Sequence, residues 1–398
     1  MTRPRLMIPG PIEFTDEVLD AVGQPSPGHV DPTFIPVFGQ ALRDLRSVFQ
    51  AGPAYQPFIL TGSGTLAMDS AIANLVEPGD RVLVLDTGYF SQRMADIGRR
   101  YGGSVDVLSV APGDTVTVDQ LAVQLQQASY RLVTITHVDT STGVLTDVQG
   151  LTAAAKAAGS LVVGDGVCAA AGEEMWQEDW DVDVYLTASQ KAVGVPPGLA
   201  LLVAAPAALA KWRARRAPVA SYYSDWGLWL PVMEAYEGGR PAYFATPAVN
   251  LVMALAVSLR QILSEGMESV FARHRSVGDA FKAGIASLGL GQVPTHLSHA
   301  SHTLSCPRYP AGVDATSLLP RVRAAGAILA GGLHPAIRNE YFRIGHMGAI
   351  SRADVLSTLG ALEAGLRGAG YAVEPGIALA AAQAVLEEDQ VYLATADR

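Results

Sequence analysis

The chain has 398 residues, enough for two domains and a large core without disulfides or metal clips. A composition of 49% hydrophobic and 17% charged residues excludes a disordered chain. The formal net charge of -10 argues against nucleic acid as a partner, because phosphate neutralisation calls for clustered Lys and Arg.

Lys211, Arg213, Arg215 and Arg216 read as a solvated helix face. Only two cysteines occur, Cys168 and Cys306, and neither sits in a CxxC or Cys/His spacing. The expectation is therefore no metal site and a reducing compartment, cytoplasmic by default. The N-terminus lacks the apolar stretch of a signal peptide, and no apolar run is long enough to span a bilayer, so no membrane is expected.

Residues 1–35 are rich in Pro and Gly, as in Pro9-Gly10-Pro11, and read as an irregular N-terminal arm. Helical periodicity covers 36–49, and a strand follows at 57–61. A helix over 65–76 is stopped by Glu77-Pro78-Gly79-Asp80. Then come a buried strand at 81–86, a helix at 91–101, a strand at 104–110 and a helix at 118–128. Further strands are predicted at 131–136, 161–165, 182–187 and 199–204.

This alternation predicts an α/β fold with a mainly parallel, seven-stranded sheet covered on both faces. Ligands in such sheets sit beyond the carboxyl ends of the strands, where Asp86, Thr136, Asp165 and Thr187 fall. A long helix over 248–265 leads out of a large domain, 36–264, into a smaller C-terminal α+β domain, 265–370. Residues 371–398 form a tail whose role the pattern leaves open.

Thr61-Gly62-Ser63-Gly64-Thr65 lies between a strand and a helix. Unpaired N–H groups at a helix start attract phosphate, and Ser63 and Thr65 add hydroxyl donors. A rival reading fits the same residues. Gly62-Ser-Gly64-Thr-Leu-Ala67 matches a dinucleotide fingerprint, and Asp86 stands where a ribose-binding acid belongs. That reading makes the protein a nicotinamide-dependent oxidoreductase.

Two later residues weigh against it. Asp165 ends one buried strand, and Lys191 follows another. An unpaired ammonium at such a place is costly, unless the amine is consumed as a Schiff base with a cofactor aldehyde. Asp165 would then keep a pyridine nitrogen protonated and make the ring an electron sink.

Ser189-Gln190-Lys191 with Pro196-Pro197-Gly198, the Thr61-to-Thr65 loop, and the run from His137 to Gly143 resemble class V, fold-type I pyridoxal-phosphate (PLP) aminotransferases. The resemblance is closest to alanine–glyoxylate and serine–glyoxylate aminotransferases, especially the fungal-like branch. Arg343-Ile-Gly-His-Met-Gly348, Glu237-Gly-Gly and Tyr243-Phe-Ala-Thr246-Pro247 point to that branch. The similarity spans residues 6–366.

It implies a cofactor, pyridoxal 5'-phosphate, bound through Lys191, with Asp165 at the ring nitrogen. Ser63, Gly64, Thr65 and Gln190 would hold the phosphate. Tyr243 and Thr246 would reach the phosphate of a partner subunit, making the protein a homodimer. Phe90, or Tyr89 in its place, would stack on one ring face, and Val167 would cover the other. Ser141 would contact cofactor or substrate, Arg343 would take the substrate carboxylate, and the arm with Gly10 would lie near the substrate.

The implied reaction is transamination of a small amino acid, L-alanine, with a 2-oxo acid, glyoxylate, giving pyruvate and glycine. Serine and ureidoglycine are the alternative donors. A cysteine desulfurase would need a catalytic cysteine on a mobile loop, and Cys306 is the candidate. His137 and His346 are given structural roles, because Lys191 can itself move the proton; His29 is given one too but is the exception to watch, since it follows the entry arm and is placed to shape the substrate pocket.

Overall fold

A computed structural model of the chain describes residues 3–396. In chain order the core elements are β1 (Gln56–Thr61), α1 (Gly64–Leu75), β2 (Arg81–Asp86), α2 (Tyr89–Arg100), β3 (Ser104–Ser109) and α3 (Val118–Gln127). They continue as β4 (Leu132–Thr136), α4 (Val148–Ala157), β5 (Leu161–Asp165), β6 (Val184–Ala188) and β7 (Leu199–Ala204). The strands form one seven-stranded sheet in the order β1-β7-β6-β5-β4-β2-β3. Only β7 runs against its neighbours, pairing antiparallel with both β1 and β6. The mainly parallel sheet expected from the strand–helix alternation is therefore present.

Every residue of β4 to β7 is buried, as expected of strands covered on both faces by helices. The parallel strands end together. This brings the turns after β1, β2, β4, β5 and β6 to one edge of the sheet, and these turns carry Ser63, Phe90, Ser141, Val167 and Lys191.

The topology also disposes of the dinucleotide reading. A fingerprint loop belongs in a βαβ unit of neighbouring parallel strands. Here β1 is an edge strand, and α1 leads across the sheet to β2. Asp86 is not open to a ribose either. Its carboxylate accepts from the Gly88 N–H (3.2 Å), Ser91 Oγ (2.9 Å), Ser109 Oγ (3.0 Å) and Gln92 Nε2 (3.2 Å).

A second apolar core gathers Phe281, Leu318, Phe342, Leu359 and Leu362. It lies beyond α5 (Val249–Glu265) and is built on α6 (Met267–Ser287) and α7 (Arg352–Gly368). Both chain ends join it. Strand Arg5–Leu6 pairs parallel with Ala327–Ile328, and Met7 is buried in this core. At the other end α8 (Ile377–Ala396) packs on α6 and buries Ala378, Ala382 and Leu386, so the segment after Gly370 is part of this core.

The arm is less irregular than its composition suggests. Residues Asp16–Val22 form a helix with two acids in its first turn and one buried residue, Val18. A single buried position leaves no periodic stripe to read. Among the described residues no helix is long and apolar enough to cross a membrane.

Candidate active site

Beyond the strand ends lies a cavity of about 230 Å3. Its walls are Gly10, Ser63, Gly64, Thr65, Phe90, Val167, Gln190 and Lys191, all singled out from the sequence, together with Met68 and Arg93. Five separate stretches of chain converge here, the N-terminal arm with Gly10 and four that the parallel strands deliver to the same edge.

The turn after β1 forms one end. Ser63 is extended (φ -118°, ψ 175°) immediately before α1, and its side chain makes no capping bond. The first N–H groups of α1 have no acceptor within the helix, so this end presents free donors and the positive end of a helix dipole. Gly64 is needed for close approach: a Cβ there would lie 3.0 Å from Val167 Cγ2 and 3.2 Å from Ala188 Cβ. Arg93 adds a cation. Its Nη1 donates to Thr65 Oγ1 (2.8 Å), and its guanidinium lies 4.8 Å over the Phe90 ring and 5.2 Å over Tyr89. Phe90 lines the cavity and Tyr89 does not.

Lys191 follows β6 and is only 7% exposed. Its Nζ donates to the Pro9 carbonyl. Burial pushes the amine below the ordinary lysine value; the charge of Arg343 adds to this, and Cys168 and Asp165 oppose it. A lysine with a stabilised neutral form is a nucleophile and a proton acceptor.

Asp165 ends β5 and is 2% exposed. Its Oδ1 accepts the Val167 N–H (2.9 Å). Burial, reinforced by the charge of Asp139, pushes its carboxyl up to about 7, against the lowering effect of that hydrogen bond and of Lys191 and Arg93. A carboxylate so short of partners is well suited to a cationic N–H.

Other residues singled out from the sequence lie outside the cavity walls. Ser141 is fully buried; its Oγ donates to Asp139 Oδ1 (2.6 Å) and accepts the Tyr89 N–H (3.0 Å). Arg343 is partly buried on strand Phe342–Gly345, with Nε on the Gly331 carbonyl (2.9 Å) and Nη1 on the Thr140 carbonyl (3.3 Å). Tyr243 is 63% exposed, its ring 5.1 Å from that of His29. Thr246 stands just before α5, where Ala248 N–H donates to Thr61 Oγ1 (3.0 Å).

The histidines given structural roles are held by the fold. His137 Nδ1 bonds Tyr185 Oη (2.8 Å), and burial lowers its imidazole to about 4. His346 stacks on Phe281 (4.6 Å), and burial lowers it to about 3. Cys306 is fully buried beside strand Leu304–Ser305, and burial raises its thiol far above the usual value. It has neither the exposure nor the ionisation that a sulfur-carrying cysteine needs.

Three contributors escaped the sequence reading: Met68 and Arg93 in the cavity wall, and Asp139 behind it. Arg93 was legible in principle, because it stands three residues after Phe90 on one helix face.

A buried lysine lining a cavity beside a helix N-terminus, with a buried acid at the end of the neighbouring strand, is the arrangement of a fold-type I PLP-dependent enzyme. Residues 27–353 match the family model described as aminotransferase class-V. The chain belongs to that family. It is 39% identical over 357 residues to alanine–glyoxylate aminotransferase 1 of Saccharomyces cerevisiae, covering 86% of this chain and 91% of the yeast protein. It is 30% identical over 384 residues to L-aspartate–glyoxylate aminotransferase of Paracoccus denitrificans, covering 95% of each. The ureidoglycine–glyoxylate aminotransferase structure from Bacillus subtilis superposes with a TM-score of 0.89 at 28% identity, covering 97% of this chain and 99% of that one.

The protein is thus an aminotransferase acting on amino acids and 2-oxo acids with pyridoxal phosphate. The residues present fit that cofactor. The α1 terminus and the Ser63 and Thr65 hydroxyls offer donors to a phosphate, and Gln190, whose buried Oε1 has no partner, gains a donor for the same place when its amide is turned to present Nε2.

Proposed function

We propose that the protein transfers the amino group of a small amino acid, L-alanine first, to glyoxylate, giving pyruvate and glycine. The observation that carries the reading is the Lys191–Asp165 pair: a buried amine in the cavity wall and a buried acid at the end of the adjoining strand β5, each felt by the other's charge. Yeast alanine–glyoxylate aminotransferase 1, at 39% identity, supports the choice of donor and acceptor.

When bound, pyridoxal phosphate supplies an aldehyde for imine chemistry and an electron sink for the substrate α-carbon. The residues divide the remaining work. Ser63, Gly64, Thr65 and Gln190 bind the phosphate at the α1 terminus, with Arg93 behind Thr65. Tyr243 and Thr246 of one protomer complete that site in its partner, so the working unit is a homodimer. Asp165 holds the ring nitrogen and keeps its proton. Phe90 covers one ring face and Val167 the other.

Lys191 is the point of covalent attachment. Freed from that attachment, its neutral Nζ would be the group that takes the proton from the substrate α-carbon and returns it where the amino group is received. Arg343 pairs with the substrate carboxylate, for which its planar fork is suited. Ser141 acts behind the ring through Asp139 and Tyr89. Serine and ureidoglycine remain the second readings for donor, supported by the similarity to a serine–glyoxylate aminotransferase of Arabidopsis thaliana and an (S)-ureidoglycine–glyoxylate transaminase of Bacillus subtilis.

The test is a visible absorption spectrum of the purified protein, followed through addition of L-alanine and then glyoxylate, with pyruvate and glycine measured. A band that bleaches with alanine and returns with glyoxylate is expected. A band indifferent to alanine but bleached by serine or ureidoglycine overturns the donor and keeps the reaction class.

A further inference from the structure

We propose that Asp139 is a positioning residue for the cofactor, tying the turn that carries Phe90 to the turn that carries Ser141. The inference rests on the proposed role of Phe90 at the ring face.

Asp139 is fully buried, and its carboxylate is divided between two structures. Oδ2 accepts the N–H groups of Phe90 (3.0 Å) and Ser91 (3.2 Å), in the first turn of α2. Oδ1 accepts the N–H of Ser141 (2.9 Å) and its Oγ (2.6 Å). Ser141 Oγ in turn accepts the Tyr89 N–H (3.0 Å), which closes a ring of bonds between the two turns. The backbone of Asp139 is pinned as well: its carbonyl accepts from Thr142 N (3.1 Å) and Gly143 N (2.8 Å).

Each donor is one that only an acceptor of fixed position can satisfy. Three are backbone N–H groups in a buried place, where an unpaired donor is costly. The carboxylate therefore locks the start of α2 at a set distance from the 139–143 turn. Phe90 is the second residue of α2, so the place from which its ring enters the cavity is set by the same lock.

A separate feature points the same way. A Cβ on Gly88 would lie 2.6 Å from Ser141 Oγ and 2.7 Å from Asp139 Cγ, so a glycine leaves the room that this junction occupies.

Asp86 provides a contrast. It also holds the start of α2, through Gly88 N and Ser91 Oγ, but it makes no bond to Phe90 or Ser141. A merely structural role would make the two acids equivalent.

The experiment compares wild type, Asp139→Asn, Asp139→Glu and Asp86→Asn for pyridoxal-phosphate affinity, visible circular dichroism of the bound cofactor, and Tm of the cofactor-free protein. Asn offers one acceptor oxygen and turns an NH2 toward donors, so one side of the junction opens. The expected result for Asp139→Asn is a loss of cofactor affinity of roughly tenfold or more, with an altered dichroic band. Asp139→Glu keeps the charge but displaces it, and is expected to shift the band with a smaller loss. Asp86→Asn is expected to lower Tm and leave the band unchanged.

Wild-type affinity and dichroism in Asp139→Asn overturn the inference, as does an equal change in Asp86→Asn. If Asp139→Asn does not fold, an unaltered band in Asp139→Glu overturns it. A wild-type protein that takes up no cofactor overturns the functional reading instead, and this inference with it.

Discussion

Gly10 stands so close to Lys191 that a Cβ on it would lie 2.8 Å from the lysine Cδ and 3.0 Å from Nζ. Its φ of +109° is also a conformation that residues with a side chain rarely adopt. The N-terminal arm therefore defines where the Lys191 amine can be. Gly10→Ala is expected to fold, to retain non-covalent cofactor binding, and to lose activity on the order of 100-fold in kcat, the effect of misplacing a reacting group by about 1 Å. Steady-state kinetics with a spectrum of the bound cofactor check this. Unchanged kcat would show that the lysine moves away freely.

Lys191→Ala removes the amine itself. The expectation is a protein that binds pyridoxal phosphate without a covalent link and has almost no turnover. Borohydride reduction followed by peptide mass analysis distinguishes the two proteins: wild type gains the cofactor mass on the peptide containing Lys191, and the variant gains none. Labelling of a different lysine in wild type would displace Lys191 from its role.

Arg343 already donates to two carbonyls, Gly331 and Thr140, which hold its guanidinium in place and leave part of the fork for substrate. Arg343→Ala is expected to raise KM for both amino acid and 2-oxo acid by ~10- to 100-fold, the value of one or two charge-assisted hydrogen bonds. Cofactor affinity should hold. An unaltered KM would mean that another group reads the carboxylate.

Much of this was legible in the sequence because the decisive signals are local. The strands Arg81–Asp86 and Leu161–Asp165 carry apolar runs, 82–85 and 161–164, that stop at an acid, which reveals both the strand and the end of it that faces the site. The turn from Thr61 to Thr65 announces a helix start by its glycines. What stayed hidden depends on distance through space. Asp139 looks like an ordinary turn acid until the fold brings α2 against it. The N-terminal arm looks irregular because its order comes from distant partners: Arg5–Leu6 pair with Ala327–Ile328, and the helix Asp16–Val22 packs on α5. The helix Ile377–Ala396 shares this origin, since its buried face exists only against α6 and α7. The competing fingerprint at Gly62 shows the opposite failure: a local match was undone by the place of β1 at the sheet edge.

Asp165 makes a prediction about stability and pH in the cofactor-free protein. Burial raises its carboxyl from an unfolded value of 3.8 to about 7. Between these values the folded chain holds a proton that the unfolded chain has released, so stability falls as pH rises. The penalty reaches about 4 kcal/mol above pH 7 and is absent below pH 4. The buried imidazoles His137 and His274, each lowered to about 4, act in the opposite sense below pH 6.5. They are common to wild type and Asp165→Asn, so they cancel in the difference between the two proteins. Asp165→Asn should therefore gain on wild type by about 4 kcal/mol between pH 4 and pH 8 when both lack cofactor. Urea unfolding at the two pH values measures it. Adding pyridoxal phosphate should reverse the order at pH 8, because a cationic ring nitrogen stabilises the ionised Asp165 and gives little to an amide. A difference that does not change with pH would mean that Asp165 is ionised without help, and that its fit to a protonated ring has to be argued from geometry alone.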